Sequence, residues 1–181
     1  MSLITEEIRS KATVYYGDDV CQQQAQRLLR ESGLPDGLLP LHDIEECGHV
    51  AETNFVWLKQ KNKTQHKFEK IGKLVSYANE VTAYAESGKI KKLTGVKAKE
   101  LMFWITLVDI SVTGVNGDKV NFRSIAGPSR TFPFEAFVID DKDGKAIKQG
   151  HEINGVIAKE ADQVAEINGG IAKEADRVDE V

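Results

Sequence analysis

The segment "LHDIEECGH" at residues 41–49 gathers His42, Asp43, Glu45, Glu46, Cys47 and His49 into eight positions, the densest set of nucleophilic and metal-ligating groups in the chain. Read as a strand, alternation divides it. His42, Ile44 and Glu46 point one way, and Asp43, Glu45, Cys47 and His49 the other. Cys47 and His49 are then neighbours, the minimum for a thiol nucleophile. Such a nucleophile also needs a positioned base and oxyanion donors, and no adjacent motif supplies them. The plainer reading is a solvated strand with a buried thiol. The serines give no better lead: none lies in a G-x-S-x-G elbow. The chain also lacks a P-loop, a dinucleotide fingerprint, zinc spacing and an EF-hand loop, so no catalytic, metal or cofactor residue is assigned.

The remaining constellation is basic. Lys59, Lys61, Lys63, Lys67, Lys70 and Lys73 follow the apolar stretch "FVWL", with Glu69 as the one acidic residue among them. Lys89, Lys91 and Lys92, then Lys97 and Lys99, form a second cluster. On strands, alternating lysines ordinarily mark a solvated face or protect an edge. Brought together beside an apolar surface, they would hold an anionic headgroup, each adding ~1 kcal/mol near a charged surface. The candidate ligand-binding residues are therefore Lys59, Lys61, Lys63, Lys67, Lys70, Lys73, Lys89, Lys91 and Lys92, provided a sheet folds back to join the clusters. The runs lack arginine, which argues against nucleic acid.

The elements that must position these groups fit a chain of 181 residues, 41% hydrophobic and 29% charged, enough for one globular core. The net charge of −4 is uneven: residues 140–181 carry 11 acidic and 6 basic side chains, leaving the remainder at +1. Cys21 and Cys47 make no CxxC pair and are read as reduced thiols. The N-terminus carries Glu6 and Glu7 where a signal peptide needs basic and apolar residues, and the longest apolar run, "LMFWITLV" at 101–108, is too short to span a bilayer. These features predict a cytoplasmic protein without a transmembrane segment, free to touch an anionic membrane peripherally.

Residues 1–37 read as an N-terminal helical segment, with Asp18 or Asp19 as N-cap and Gly33 and Pro35 as stops. Residues 38–140 read as a β domain of about 8–10 short strands, an antiparallel barrel or sandwich. "NFVWLKQ" is apolar on both faces, Lys59 to Lys63 form an exposed loop after it, and turns fall near Asn79-Glu80 and at "ESGK". Trp57 and Trp104 are expected in the core, since "LMFWITLV" needs a layer on each side. Asn116-Gly117 marks a hairpin and Pro133 an edge strand. Residues 141–181 form a separate acidic tail, helical or disordered, in which 152–164 repeat as 166–178 with 11 of 13 positions identical.

The blocks "GLPDGLLPL" (33–41), "ETNFVWLKQK" (52–61), "GKLVSYANEVTAYAESGKIKKLTGVKAKEL" (72–101) and "SRTFPFEAF" (129–137) occur in order, and over about residues 17–139 the chain resembles the plant family called domain of unknown function 538. Many members have Gly where this chain has Asn54; both tolerate a left-handed turn. The resemblance implies a β-barrel-like domain with helical decoration and a link to development and stress responses. It also implies kinship with lipid-binding proteins of the bactericidal/permeability-increasing type, chlorophyll binding or ester hydrolysis, with no catalytic residues to carry over.

Together these readings favour a non-catalytic protein holding an amphipathic anionic ligand, a lipid or pigment. The alternatives are a weak ester hydrolase with a dispersed site, using Cys47 or a serine, and a scaffold that engages a protein partner through its repeat. The tail has few large apolar side chains, and its two Asn-Gly steps oppose a long docked helix. Deleting 146–181 is therefore expected to leave the thermal midpoint nearly unchanged; a loss of several degrees would show that the tail packs on the body.

Overall fold

The strand Phe55–Gln60 (β3) shows how the sheet is covered, because its two faces go to different partners. The computed structural model describes residues 1–140. Within them, β3 follows helix α1 (Glu6–Lys11), strand β1 (Thr13–Tyr16), helix α2 (Asp18–Glu31) and strand β2 (Ile44–Val50). Phe55 and Trp57 pack with Val50 and Ile4 beneath Ile8 of α1 and Ala12 just after it. Leu58 faces the main core with Cys47, Cys21 and Leu29, on the side that α2 covers. The rest of the fold is β4 (Thr64–Phe68), β5 (Lys73–Glu86), β6 (Lys89–Glu100), β7 (Phe103–Thr113), β8 (Lys119–Ser124) and β9 (Arg130–Pro133). All pairings are antiparallel, in the order β1-β2-β3-β5-β6-β7-β8-β9, with β4 also on β5. The described residues are mainly β, with nine strands in one sheet.

That sheet curls because β5 changes partner. Its first part pairs with β4 from Phe68↔Lys73 to Thr64↔Tyr77, and its second with β3 from Lys59↔Glu80 onward. The turn expected at Asn79-Glu80 is instead a bend inside one continuous strand. Carbonyls released there are met by the buried Gln60 amide, whose Nε2 donates to the oxygens of Tyr77 (3.1 Å) and Ala78 (3.0 Å). Opposite, Gly95 takes φ +80°, and a Cβ on it would lie 2.3 Å from the Glu80 oxygen. Only glycine permits this approach. The sheet's far end is brought over by Phe137, which contacts Phe68 of β4 and Phe122 and Phe132 of β8 and β9. The Gly37 amide donates to the Phe137 carbonyl (2.8 Å) and the Ile139 amide to Asp36 Oδ1 (3.0 Å), tying this closure to the loop after α2.

Several local readings are met. Gly33 sits at φ +73° and ends α2, with the Leu34 amide reaching back to the Leu29 carbonyl (2.8 Å). Asn54 is left-handed at φ 61°, Ser87-Gly88 turns β5 into β6, and Pro133 lies on the edge strand β9. Others are corrected. Gly17, not an aspartate, caps α2; Asp18 Oδ1 instead accepts from the Ile44 amide (2.9 Å). The segment read as purely helical also holds β1, which adds to β2. Lys59 belongs to β3, so the loop begins only at Lys61. A register irregularity between Ile44 and Glu46 reverses the alternation: Ile44 and Cys47 both enter the main core, while Glu46 faces α1.

Glu46 anchors α1. It accepts from Trp57 Nε1 (2.8 Å) and pairs with Arg9 (2.9 Å), whose guanidinium also lies over the Trp57 ring. Burial by itself would raise the Glu46 carboxyl, but the Arg9 and Trp57 hydrogen bonds outweigh it and hold the group below its ordinary range.

The tryptophans divide. Trp57 is 1% exposed, as expected, and its indole lies over Gly48, where a Cβ would meet the ring at 2.2 Å. Trp104 is 38% exposed, because β7 begins at a hairpin tip that no second layer covers. Trp57→Ala is expected to cost ~3–5 kcal/mol, as for emptied aromatic sites, and Trp104→Ala under about 1 kcal/mol. Denaturant titration of both variants checks this; equal losses would contradict the placement.

Candidate functional site

Residues of six strands, β4 to β9, line an apolar cavity of about 370 Å³ at one end of the curled sheet. Its floor is Tyr77, Val96, Leu107 and Ile110, all buried. Alternation supplies the walls: Val75 and Tyr77 from β5, Val96 and Ala98 from β6, Phe103, Ile105 and Leu107 from β7, Phe122 from β8 and Phe132 from β9. The one polar group on the floor is already satisfied, since the Tyr77 hydroxyl donates to the Leu38 carbonyl (3.0 Å), and burial pushes its titration upward. Ala98 is the smallest side chain in the lining.

Charge is confined to the mouth. Lys73 Nζ lies 3.0 Å from Glu100 Oε1, and Arg130 Nε lies 3.5 Å from the same oxygen. Two cations thus share one carboxylate at the entrance of an apolar chamber. The pairs are partly exposed, so an incoming anion competes with Glu100 at little cost.

Of the candidate lysines, Lys73 lines this cavity. Lys67 and Lys70 lie nearby on β4 and the turn after it; Lys67 pairs with Glu69 (3.6 Å), and Lys70 donates to the Glu135 carbonyl (3.1 Å). Lys97 and Lys99 approach the same end through β6, where Val75 pairs with Ala98. Lys59 sits at the bend against Glu80 (3.9 Å), and Lys61 and Lys63 occupy the β3–β4 turn. Lys89, Lys91 and Lys92 lie at the other end of the β5–β6 hairpin, where Glu86 pairs with Lys89. The expected convergence of both clusters therefore does not form. The hairpin carries them apart, and only the Lys67–Lys73 part lies at the same end of the sheet as the Lys97–Lys99 part.

Arg130 and Glu100 carried no local signal, being 30 positions apart and joined only by the curl. The apolar run at 101–104 is visible in the sequence, which predicts a layer on each side of it. In the fold its first residues form the cavity rim.

A second pocket of about 290 Å³ lies between α2 and the sheet and is lined in part by Cys47 and His49, the pair that alternation placed on one side. Burial, followed by the neighbouring Cys21 thiol, pushes the Cys47 thiol far up, and burial raises Cys21 as well. A nucleophilic cysteine needs the opposite shift. The main cavity has neither histidine nor cysteine in its lining, and its Ser124 hydroxyl is donated to the Ala126 carbonyl (3.3 Å). Among the described residues, no three His, Cys, Asp or Glu side chains gather as a metal site, and no helix is long and apolar enough to cross a membrane. The repeat-bearing tail lies outside the described residues.

A family model described as "Protein of unknown function, DUF538" matches residues 25–138, which include all of β2 to β9 and every residue lining the main cavity. No curated protein and no solved structure matches the chain.

The thiol environment gives a direct check on covalent chemistry. In the native protein, Cys21 and Cys47 are expected to resist iodoacetamide at pH 8 and to react only on unfolding, as followed by intact mass. Rapid alkylation of Cys47 in the folded state would restore the thiol nucleophile.

Proposed function

The chain belongs to the DUF538 family, and from the cavity within that domain we propose that it binds one amphipathic molecule, its apolar part inside the curled sheet and its anionic group at the mouth. The observation that carries this reading is the pairing of an apolar chamber with Lys73 and Arg130 at its opening. Ligand pockets combine mostly apolar walls with a few convergent polar groups, and their volumes run from roughly 300 to 1,000 Å³. At about 370 Å³ this cavity is near the small end. That favours a lipid with one slender chain over a macrocyclic pigment. The charged groups give orientation more than affinity, because they are solvent-facing and screened. The apolar lining supplies the driving force, at about 25 cal/mol per Å² removed from water.

The reading is tested with an environment-sensitive fluorescent fatty acid kept below its micellar concentration. The parent protein is expected to bind it at one site and to prefer it to the corresponding alcohol. Ala98→Leu, which adds three carbons to the chamber lining, is expected to weaken uptake by roughly tenfold or more, since the displaced chain loses several buried CH₂ groups. Arg130→Gln is expected to reduce the preference for the acid over the alcohol. Absence of uptake by the parent, or undiminished uptake by Ala98→Leu, would refute the proposal.

A further inference from the structure

The turn joining β6 to β7 is built against ordinary chemistry. Glu100 pairs with Phe103, so Leu101 and Met102 are the whole connection, a two-residue hairpin turn. Such turns are normally made from Gly, Asn or Asp, because central residues take positive φ. Here Leu101 takes φ 53°, a conformation that crowds any L side chain carrying a Cβ. It is also 90% exposed, with Met102 at 83% and Phe103 at 71%. Two unfavourable features, a strained backbone and large apolar groups in water, thus fall on one turn.

The surroundings indicate what the turn meets. Leu101 and Phe103 line the main cavity, so the exposed tip is continuous with its mouth. Trp104 follows on the outer face, half-exposed, with Lys99 Nζ 6.0 Å from its ring centre. Ile125 is also exposed and is held alongside by its amide, which donates to the Thr106 carbonyl (3.0 Å). Near this apolar tip stand Lys73, Lys99 and Arg130, of which Lys73 and Arg130 share Glu100. An apolar point ringed by cations, with a tryptophan at its base, matches the layering of an anionic bilayer: hydrocarbon, then the interface, then phosphate.

We propose that the Leu101–Met102 turn inserts into the surface of an anionic lipid bilayer and sets the cavity mouth against it, so that the ligand passes between membrane and chamber without crossing water. This rests on the cavity reading for its purpose but not for its test. The turn is the anchor, and the surrounding lysines steer it. The lysines at 59–63 and 89–92, away from this end, take no part.

The test is co-sedimentation of the full chain with vesicles of phosphatidylcholine alone or mixed with phosphatidylglycerol, at low and physiological salt, with Trp104 fluorescence as a second readout. Trp57, the other tryptophan, is buried and stays constant. Binding to the anionic vesicles is expected, stronger at low salt, with a blue shift. Leu101→Gly/Met102→Asn puts glycine at the position that takes positive φ, so it is expected to fold at least as well while losing binding by roughly tenfold or more through removal of the two apolar side chains that would enter the bilayer. Met102→Asp, which leaves the cavity lining untouched, is expected to act in the same direction. No binding by the parent at low salt, or undiminished binding by both variants, would overturn the proposal. So would a concentration-dependent blue shift without vesicles, which would assign the tip to a second copy of the chain. Vesicle binding without uptake of the soluble fatty acid would remove the cavity reading and keep the anchor; uptake without vesicle binding would do the reverse.

Discussion

The fold depends on one close approach, that of the Gly95 backbone to the Glu80 carbonyl. Any side chain at Gly95 would occupy the space of that oxygen, and φ +80° is already costly for an L residue. Because the approach is allowed, β5 bends and exchanges β4 for β3 as its neighbour. The buried Gln60 amide answers the carbonyls that the exchange leaves without ladder partners, removing a penalty of about 1–3 kcal/mol for each such group. A flat sheet of this length would present two open faces. The bent one makes an inside, and the cavity is the part of that inside which side chains do not fill.

The two faces are finished by different means. Under α1, the Arg9–Glu46–Trp57 cluster fixes a small second core on the outer side. Its electrostatic sign is that of a paired carboxylate. With Glu46 held below its ordinary value of 4.5, the contribution is present above that pH and is lost as pH falls through the folded value, because the unfolded chain binds the proton first. Within the curl, α2 and Phe137 close the rest without charge. The end near Leu101 receives no such cover, and there the mouth, its cations and the exposed apolar turn coincide.

Much of this was legible in the sequence, though unevenly. Phe55–Leu58 reads as apolar on both faces, and the fold buries both, Phe55 and Trp57 beneath α1 and Leu58 in the main core. At residues 101–104 the layer expected on each side does not form. Those residues are a turn and the first positions of β7, and their apolar character is not explained by burial. Gly33, Asn54 and Pro133 announced their conformations through backbone chemistry. The bend at Ala78 to Glu80 did not: Asn79-Glu80 looks like a turn, and only Gly95, across the ladder, explains why the strand continues. The mouth was half visible. Lys73 stood in a basic run, whereas Arg130 and Glu100 meet through curvature that no local pattern encodes. The separation of the lysine clusters was likewise a matter of strand length, since β5 runs unbroken from Lys73 to Glu86.

The central claim is that the chamber inside the bent sheet, rather than the pocket beneath α2, receives an apolar chain. Methyl-resolved NMR during titration with an unlabelled single-chain fatty acid tests it most directly. The account predicts shifts and intermolecular contacts at Val75, Val96, Leu107 and Ile110, which line that chamber and not the pocket beneath α2. Contacts centred instead on Leu28, Leu34 and Leu93 beneath α2, or saturation without any contact to the chamber, would contradict it.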